Sequence, residues 1–318
     1  MAKKKSEKEH QAGKDRRSGR PEPKKGSKEE ATAGVDRAME AGAVAAAFRF
    51  PAGTGALADL PTTPLKFGPR DKAAATTSIQ DLGPALAELQ EKLYAQSTAG
   101  SKRRVLLLLQ GMDTAGKDGV ITHAVGLLNP SGIRLVSFKS PTAEEREHDF
   151  LWRIQRAVPR AGEIGVFNRS QYEDVLIVRV HDLVSRTVWA SRYAQINAFE
   201  REIARQGVAM VKCFLHVSKK TQAERLLARL EDAAKYWKYN PSDVDERGYW
   251  DDYQAAYLDV LRRCSTVAGP WYVIPSDKKW YRNWAVAALL HEKLAELAPQ
   301  YPAADYDVEA QKKRVAES

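Results

Sequence analysis

From Ser101 onward the chain alternates between short unbroken apolar runs and longer segments whose apolar residues return every three or four positions. The first kind predicts strands over Val105–Gln110, Ile133–Phe138, Ile164–Asn168, Ala209–Val217 and Trp271–Ile274. The second predicts helices over Lys117–Leu128, Ala143–Val158, Arg186–Gln206, Lys220–Asp232, Asp245–Arg263 and Asn283–Leu297. Within Arg186–Gln206, Trp189, Tyr193, Ile196, Phe199 and Ile203 share one face, and Thr221 followed by Glu224 reads as a capping box for the next helix. A strand that is apolar at every position is buried on both faces. Alternation with helices therefore predicts an α/β fold in which a parallel sheet lies between helical layers. Ligands of such sheets bind beyond the carboxyl ends of the strands, so the loops after each strand are the places to seek chemistry.

Upstream the pattern changes. Ile79, Leu82, Leu86, Leu89 and Leu93 predict an amphipathic helix within Thr77–Gln96, preceded by a docking turn over Leu65–Arg70. The stretch from Ala31 to about Pro64 is rich in Ala, Gly and Pro, with a short helix expected through Gly42 to Phe48. Residues 1–28 carry eleven basic and four acidic side chains and no aromatic one, too little apolar surface to offset the entropy of ordering. The expected organisation is a disordered tail over 1–55, a helical extension over 56–100, a core over 101–300 and a second tail over 301–318.

Composition narrows the class. With 318 residues, 43% hydrophobic and 29% charged, the chain is neither wholly disordered, collagen-like nor membrane-embedded. Two cysteines, Cys213 and Cys264, exclude a disulfide framework and a thiolate zinc cage. The N-terminus lacks the apolar core of a signal peptide, so a cytoplasmic location is expected. The net charge of +9 suggests a polyanionic partner, but seven of those nine charges lie in residues 1–28. The total therefore does not identify the partner. Nucleic acid is disfavoured because no nucleic-acid motif accompanies the tail.

The first strand runs into Gly111-Met-Asp-Thr-Ala-Gly116-Lys117-Asp118-Gly119 and then a helical segment, the strand–G-x-x-x-x-G-K–helix context of a phosphate-binding loop. Gly111 and Gly116 permit backbone conformations that turn N–H groups toward an anion, and Lys117 adds a point charge. Where a hydroxyl normally ligates Mg²⁺ the sequence has Asp118, and a second carboxylate, Asp113, lies inside the loop. Carboxylates beside a phosphate cradle make sense if they hold Mg²⁺ or orient an acceptor phosphate. The third strand ends in Asn168 and Arg169, where such folds place a metal-orienting carboxylate.

These residues resemble the polyphosphate kinase 2 family. The resemblance is carried by G-M-D-T-A-G-K-D-G at 111–119, F-K-S-P-T at 138–142, H-D-F-L-W-R at 148–153 and F-N-R-S-Q-Y-E-D-V-L at 167–176. It continues through W-K-Y-N-P-S-D at 237–243 and I-P-S-D-K-K-W at 274–280, in the family's order, and covers about residues 65–300. It implies a three-layer α/β/α P-loop kinase-like fold with a helical lid at about 219–250. It implies Mg²⁺-dependent, reversible phosphoryl transfer between inorganic polyphosphate and AMP, ADP or GDP, and a homo-oligomer, dimer or tetramer. By position Asp113 resembles the family's loop aspartate, which binds Mg²⁺ and positions the acceptor, and Lys117 its phosphate-binding lysine. Asn168 and Arg169 match its second motif, with Asn168 a metal ligand that brings no charge and Arg169 contacting the transferring phosphoryl.

The expected catalytic set is thus Asp113, Lys117, Arg169 and the lid residue Arg229. Gly111, Ala115, Gly116, Asp118, Gly119, Lys139, Lys238, Lys278 and Lys279 are expected along the phosphates. Asn168, Tyr172 and Glu173 are expected at the nucleotide. Arg225, four residues before Arg229 on the same helix face, and Arg282 are further candidates. The histidines show no metal spacing. A competing reading, an ATP-dependent nucleoside or nucleotide kinase on the same scaffold, is opposed by Asp118 and Asn168.

Overall fold

Four of the five strand runs are almost wholly buried, whereas the fifth, Ile133–Ser137, lies at the sheet edge and has no buried residue. In Arg104–Gln110 every residue after the first is buried. The computed structural model describes residues 42–318. In chain order its elements are α1 (Ala43–Phe48), α2 (Lys72–Thr98), β1 (Arg104–Gln110), α3 (Lys117–His123), β2 (Ile133–Ser137), α4 (Ala143–Arg146), α5 (Trp152–Ala157), β3 (Ile164–Asn168) and α6 (Ile177–Val180). There follow α7 (Arg186–Arg205), β4 (Val208–His216), α8 (Lys219–Leu230), α9 (Ser242–Glu246), α10 (Trp250–Cys264), β5 (Trp271–Pro275), α11 (Lys279–Leu297) and α12 (Val308–Ala316). Short 3₁₀ segments at Gln171–Val175 and Ala233–Lys238 complete the two regions that matter most below.

The sheet order is β2-β3-β1-β4-β5, every pair parallel. Helices cover both sides: α2, α3 and α11 pack together, and α6, α7 and α10 form a second group. This is the α/β fold with two helical layers that the hydrophobic pattern predicts. Leu109 of β1 lies opposite Asn168 of β3 on one side and Cys213 of β4 on the other. The chain leaves β1 for the far edge, returns through β3, and then crosses to β4. That reversal opens a crevice beyond the carboxyl end of β1.

Several local expectations change. The tail expected over 1–55 gives way to packed structure from α1 onward, while residues 1–41 lie outside the described residues. Val44 and Phe48 are buried, Glu292 accepts from the Val44 and Ala45 amides at 2.9 and 2.8 Å, and the Phe50 amide donates to Trp271 O at 2.9 Å. This strap covers the outer edge of β5, which would otherwise offer unpaired backbone groups. The helix expected over Ala143–Val158 is two short ones. Thr142 and Glu145 form a capping box for the first, and the Asp149 carboxylate accepts from the Leu151 amide ahead of the second. Ser218, not Thr221, caps α8, with its hydroxyl accepting from the Thr221 amide at 3.1 Å. The expected second tail contains α12, none of whose residues is buried. No helix among the described residues is long and apolar enough to cross a membrane.

Candidate active site

The loop after β1 is shaped by side chains that come from elsewhere. Gly116 has φ 106°, and a Cβ there would run into the Arg282 guanidinium. Thr114 takes φ 62°, a conformation uncommon for a non-glycine residue. Three carbonyls of the loop are each held by a donor outside it. Asp113 O accepts from Gln222 Nε2 at 3.1 Å, Thr114 O from Arg225 Nη1 at 2.7 Å, and Ala115 O from Arg282 Nη1 at 3.0 Å. The Lys117 ammonium is buried and donates to Gly111 O at 2.8 Å. Burial pushes its pKa down, and the nearby Arg169 charge adds to that.

The end of β3 supplies the facing wall. Arg169 takes φ 65°, with its amide donating to Leu109 O at 3.0 Å. That conformation costs of order 1 kcal/mol or more and persists only when the surroundings over-determine it. Two acids hold its guanidinium, Asp113 Oδ1 at 3.0 Å and Glu173 Oε2 at 3.5 Å, and Gln110 Nε2 donates to Glu173 Oε1 at 2.9 Å. Beside it, Asn168 Nδ2 donates to Asp118 Oδ1 at 2.9 Å. Behind it lies a fully buried anchor. Lys212 donates to Glu200 Oε2 at 2.6 Å, Tyr172 Oη at 2.8 Å and Cys264 O at 2.7 Å, so all three ammonium protons are used. The Tyr172 hydroxyl in turn donates to Glu200 Oε1 at 2.6 Å.

The lid closes the third side. On α8, Arg225 donates to Thr114 O and Ala115 O of the loop and to Ser276 O and Asp277 O beyond β5. One turn further, Arg229 pairs with Asp243 at 3.0 Å and donates to Lys238 O at 2.8 Å, both within the lid. Asp243 is raised above the usual carboxylate range by burial and then by the charge of Asp113, with Arg229 opposing. The Lys238 ammonium lies 4.8 Å from the centre of the exposed Trp237 ring.

Together these walls enclose a cleft of about 500 Å³ lined by eight cationic side chains and two carboxylates. The cations are Lys117, Arg169, Arg225, Arg229, Lys235, Lys238, Lys279 and Arg282; the acids are Asp113 and Asp118. They strain against one another. Lys279 is pulled down by burial, then by Arg225 and Arg282, and Arg282 by burial, then by Arg225. With only two of the chain's nine surplus charges outside residues 1–28, the body has gathered its positive charge here. An anion in the cleft would relieve that repulsion.

Of the residues expected from sequence, Asp113, Gly116, Lys117, Asp118, Gly119, Asn168, Arg169, Arg229, Lys238 and Lys279 line the cleft. Gly111 and Ala115 belong to the loop, but they contribute carbonyls to its support, Gly111 O accepting from Lys117 within it and Ala115 O from Arg282 outside it. Tyr172 does not face the cleft: it is fully buried, because the 3₁₀ turn begun by Ser170 sends it inward to Glu200. Glu173 lies beneath Arg169 and acts on its guanidinium rather than facing the cavity. Lys139 and Lys278 are exposed and stand outside the cleft lining. Thr114, His123 and Asn283 line it without having been singled out from sequence. Gln222, which faces the loop, carries no motif, and its only signal is a polar residue three positions before Arg225 on the same helix.

Among the described residues no group of three or more His, Cys, Asp or Glu is gathered around a metal position. What the cleft offers is hard oxygen donors: the Asp113 and Asp118 carboxylates, each with one oxygen outside the bonds above, and the Asn168 amide oxygen. Such a set fits Mg²⁺, which is commonly held by one or two carboxylates and completes its shell with water and substrate phosphates.

Fold and site together define a phosphotransferase of the P-loop kinase type. Comparison with known proteins carries this to a family. The polyphosphate kinase 2 family model matches residues 70–302, and the chain belongs to that family. It is 48% identical to the AMP/ADP-polyphosphate phosphotransferase of Meiothermus ruber over 73% of this chain and 85% of that one. It is 40% identical to the ADP-polyphosphate phosphotransferase of Rhodopseudomonas palustris over 80% of this chain and 91% of that one. The crystal structure of polyphosphate kinase 2 from Arthrobacter aurescens superposes with a TM-score of 0.84 at 46% identity, covering 86% of this chain and 97% of that one.

Proposed function

We propose that this cleft transfers a phosphoryl group reversibly between inorganic polyphosphate and a nucleoside mono- or diphosphate, AMP, ADP or GDP, with Mg²⁺. The observation that carries the reading is the surplus of eight cations over two carboxylates in a cleft at the reversal point of the sheet. A nucleotide alone needs fewer positive charges than two phosphate-bearing substrates brought face to face. Phosphoryl transfer asks a protein mainly to position the reactants in line and to stabilise charge on the equatorial oxygens.

Lys117 leaves its loop carbonyl for a phosphate oxygen. Arg169, pre-aimed by Asp113 and Glu173, faces the transferring group. Arg229, Lys238 and Lys279 hold the polyphosphate chain, with Arg229 brought in as the lid closes. Asp113, with Asp118 and Asn168 beside it, would hold Mg²⁺, which when bound would supply positive charge against the substrate phosphates. Asp113 also orients the acceptor phosphate. We place the reaction in the cytoplasm, on a dimer or tetramer.

A donor and acceptor screen tests the reading. With Mg²⁺ and polyphosphate, nucleoside diphosphate or triphosphate should form from AMP, ADP or GDP. Phosphorylation of a nucleoside by ATP, with polyphosphate inert, would instead establish an ATP-dependent kinase.

A further inference from the structure

Gln222 is 1% exposed, and both ends of its amide are used. Its Nε2 donates to the Asp113 carbonyl at 3.1 Å, and its Oε1 accepts from Arg247 Nη1 at 2.7 Å. Arg247 also donates to Lys219 O at 3.1 Å and sits between α9 and α10, on the limb by which the lid returns to the core. A continuous path of hydrogen bonds therefore joins the base of the lid to the residue whose carboxylate meets Arg169. In a trans peptide the carbonyl and the amide point opposite ways, so drawing Asp113 O toward α8 turns the Thr114 N–H away from it. Thr114 takes φ 62°, so the loop sits in a backbone state that is not its cheapest, and a rotated 113–114 peptide is the competing state. Rotation about the line joining the two Cα atoms would leave the Asp113 side chain nearly in place and re-aim the Thr114 amide. Tethering is not what Gln222 adds, because Arg225 already fixes α8 to the loop through the Thr114 and Ala115 carbonyls.

We propose that Gln222, oriented by Arg247, is a positioning residue: it fixes the 113–114 peptide so that the Thr114 amide faces the phosphates. The proposal rests on the reading of this cleft as the site that holds the phosphates.

The test uses Gln222→Glu, Gln222→Met, Arg247→Met and the Gln222→Met/Arg247→Met double variant in the full chain. Three readouts are taken: kcat and KM with polyphosphate, calorimetric affinity for magnesium pyrophosphate, and melting temperature. Both Gln222 variants should lose kcat by about ten- to a hundredfold, with KM for polyphosphate within about threefold in Gln222→Met, as expected for a sub-ångström misplacement of reacting groups. Gln222→Glu should be the worse, since a carboxylate would face a carbonyl oxygen, and it should weaken pyrophosphate binding about tenfold. Arg247→Met should lose less, and the double variant should match Gln222→Met alone, because Arg247 acts through Gln222. Kcat or pyrophosphate affinity within about twofold of the parent in Gln222→Glu would overturn the proposal. So would additive losses in the double variant, or Gln222 variants that fail to fold. Should the parent chain ignore polyphosphate, the functional reading falls, while pyrophosphate affinity in Gln222→Glu still decides the role of Gln222.

Discussion

Arg225 and Arg229 stand one turn apart on α8 and carry the same charge, yet they do opposite kinds of work. Arg225 spends its guanidinium on four backbone carbonyls of the phosphate loop and of the segment after β5. Arg229 is tied only to lid residues, Asp243 and the Lys238 carbonyl. The root of the helix is thus part of the rigid platform, and its tip belongs to the lid. A phosphate entering the cleft competes for Arg229 with one carboxylate and one carbonyl of the same segment. To recruit Arg225 it would have to dismantle the loop it binds to.

The largest effect expected concerns the wall both arginines face. Arg169→Ala should lower kcat by about a thousandfold, roughly 4 kcal/mol of transition-state stabilisation, with little change in melting temperature. A large loss of stability with a small loss of rate would make Arg169 structural and leave the lid arginines as the main cations. The comparison itself is tested next. Arg225→Ala should lower the melting temperature by several degrees, as a half-buried, charged and multiply bonded group costs about 2 kcal/mol, whereas Arg229→Ala should leave melting unchanged and lower kcat by about a hundredfold. Reversed phenotypes would break the division between root and tip.

Acid should loosen the root and not the tip. His216, at the end of β4 just before α8, is buried, and its pKa is pushed down to about 4. The unfolded chain binds its proton near pH 6.5, so the stabilisation from keeping this imidazole neutral is present above that pH and lost as pH falls toward 4. Between pH 7 and pH 5 the loss is about 2 kcal/mol. Burial raises Asp174 to about 6, which acts in the opposite direction, so the parent must be compared with His216→Phe. The parent should lose more stability than His216→Phe between those pH values in denaturant titrations; identical slopes would remove His216 from the account. The smallest effect belongs to Asn168→Asp. A second carboxylate at the 2.9 Å hydrogen bond to Asp118 should lower melting in EDTA by a few degrees, with Mg²⁺ restoring it. Insensitivity to Mg²⁺ would argue against these oxygens as its site.

What could be read from the sequence is what rests on local chemistry. Four of the strands were legible because both of their faces are buried and apolar; β2, at the sheet edge, is only partly covered. The Gly111–Gly119 loop was legible because its backbone needs glycine at Gly111 and Gly116, both at positive φ, and because a lysine follows directly. Arg229 and Lys238 were placed on a lid only through the family resemblance. Tyr172 was misjudged because its direction depends on a partner far along the chain: Glu200, on a helix whose apolar face is marked by Phe199 and Ile203, is drawn inside by Lys212 in the middle of β4. Lys212 interrupts an otherwise apolar strand, which was the available hint of a buried charge pair. The roles of Gln222 and Arg282 were hidden for a similar reason. Each bonds a loop carbonyl more than a hundred residues away, and a carbonyl leaves no trace in the identity of its residue.

The most direct test of the cleft as the site of transfer is phosphorus NMR of a mixture of polyphosphate, ADP and Mg²⁺ with the parent chain and with Asp113→Asn. The account predicts that ATP resonances grow as polyphosphate signal is lost with the parent. It also predicts no growth with Asp113→Asn, although that variant melts within a few degrees of the parent. ATP formation at the parental rate by Asp113→Asn would contradict it.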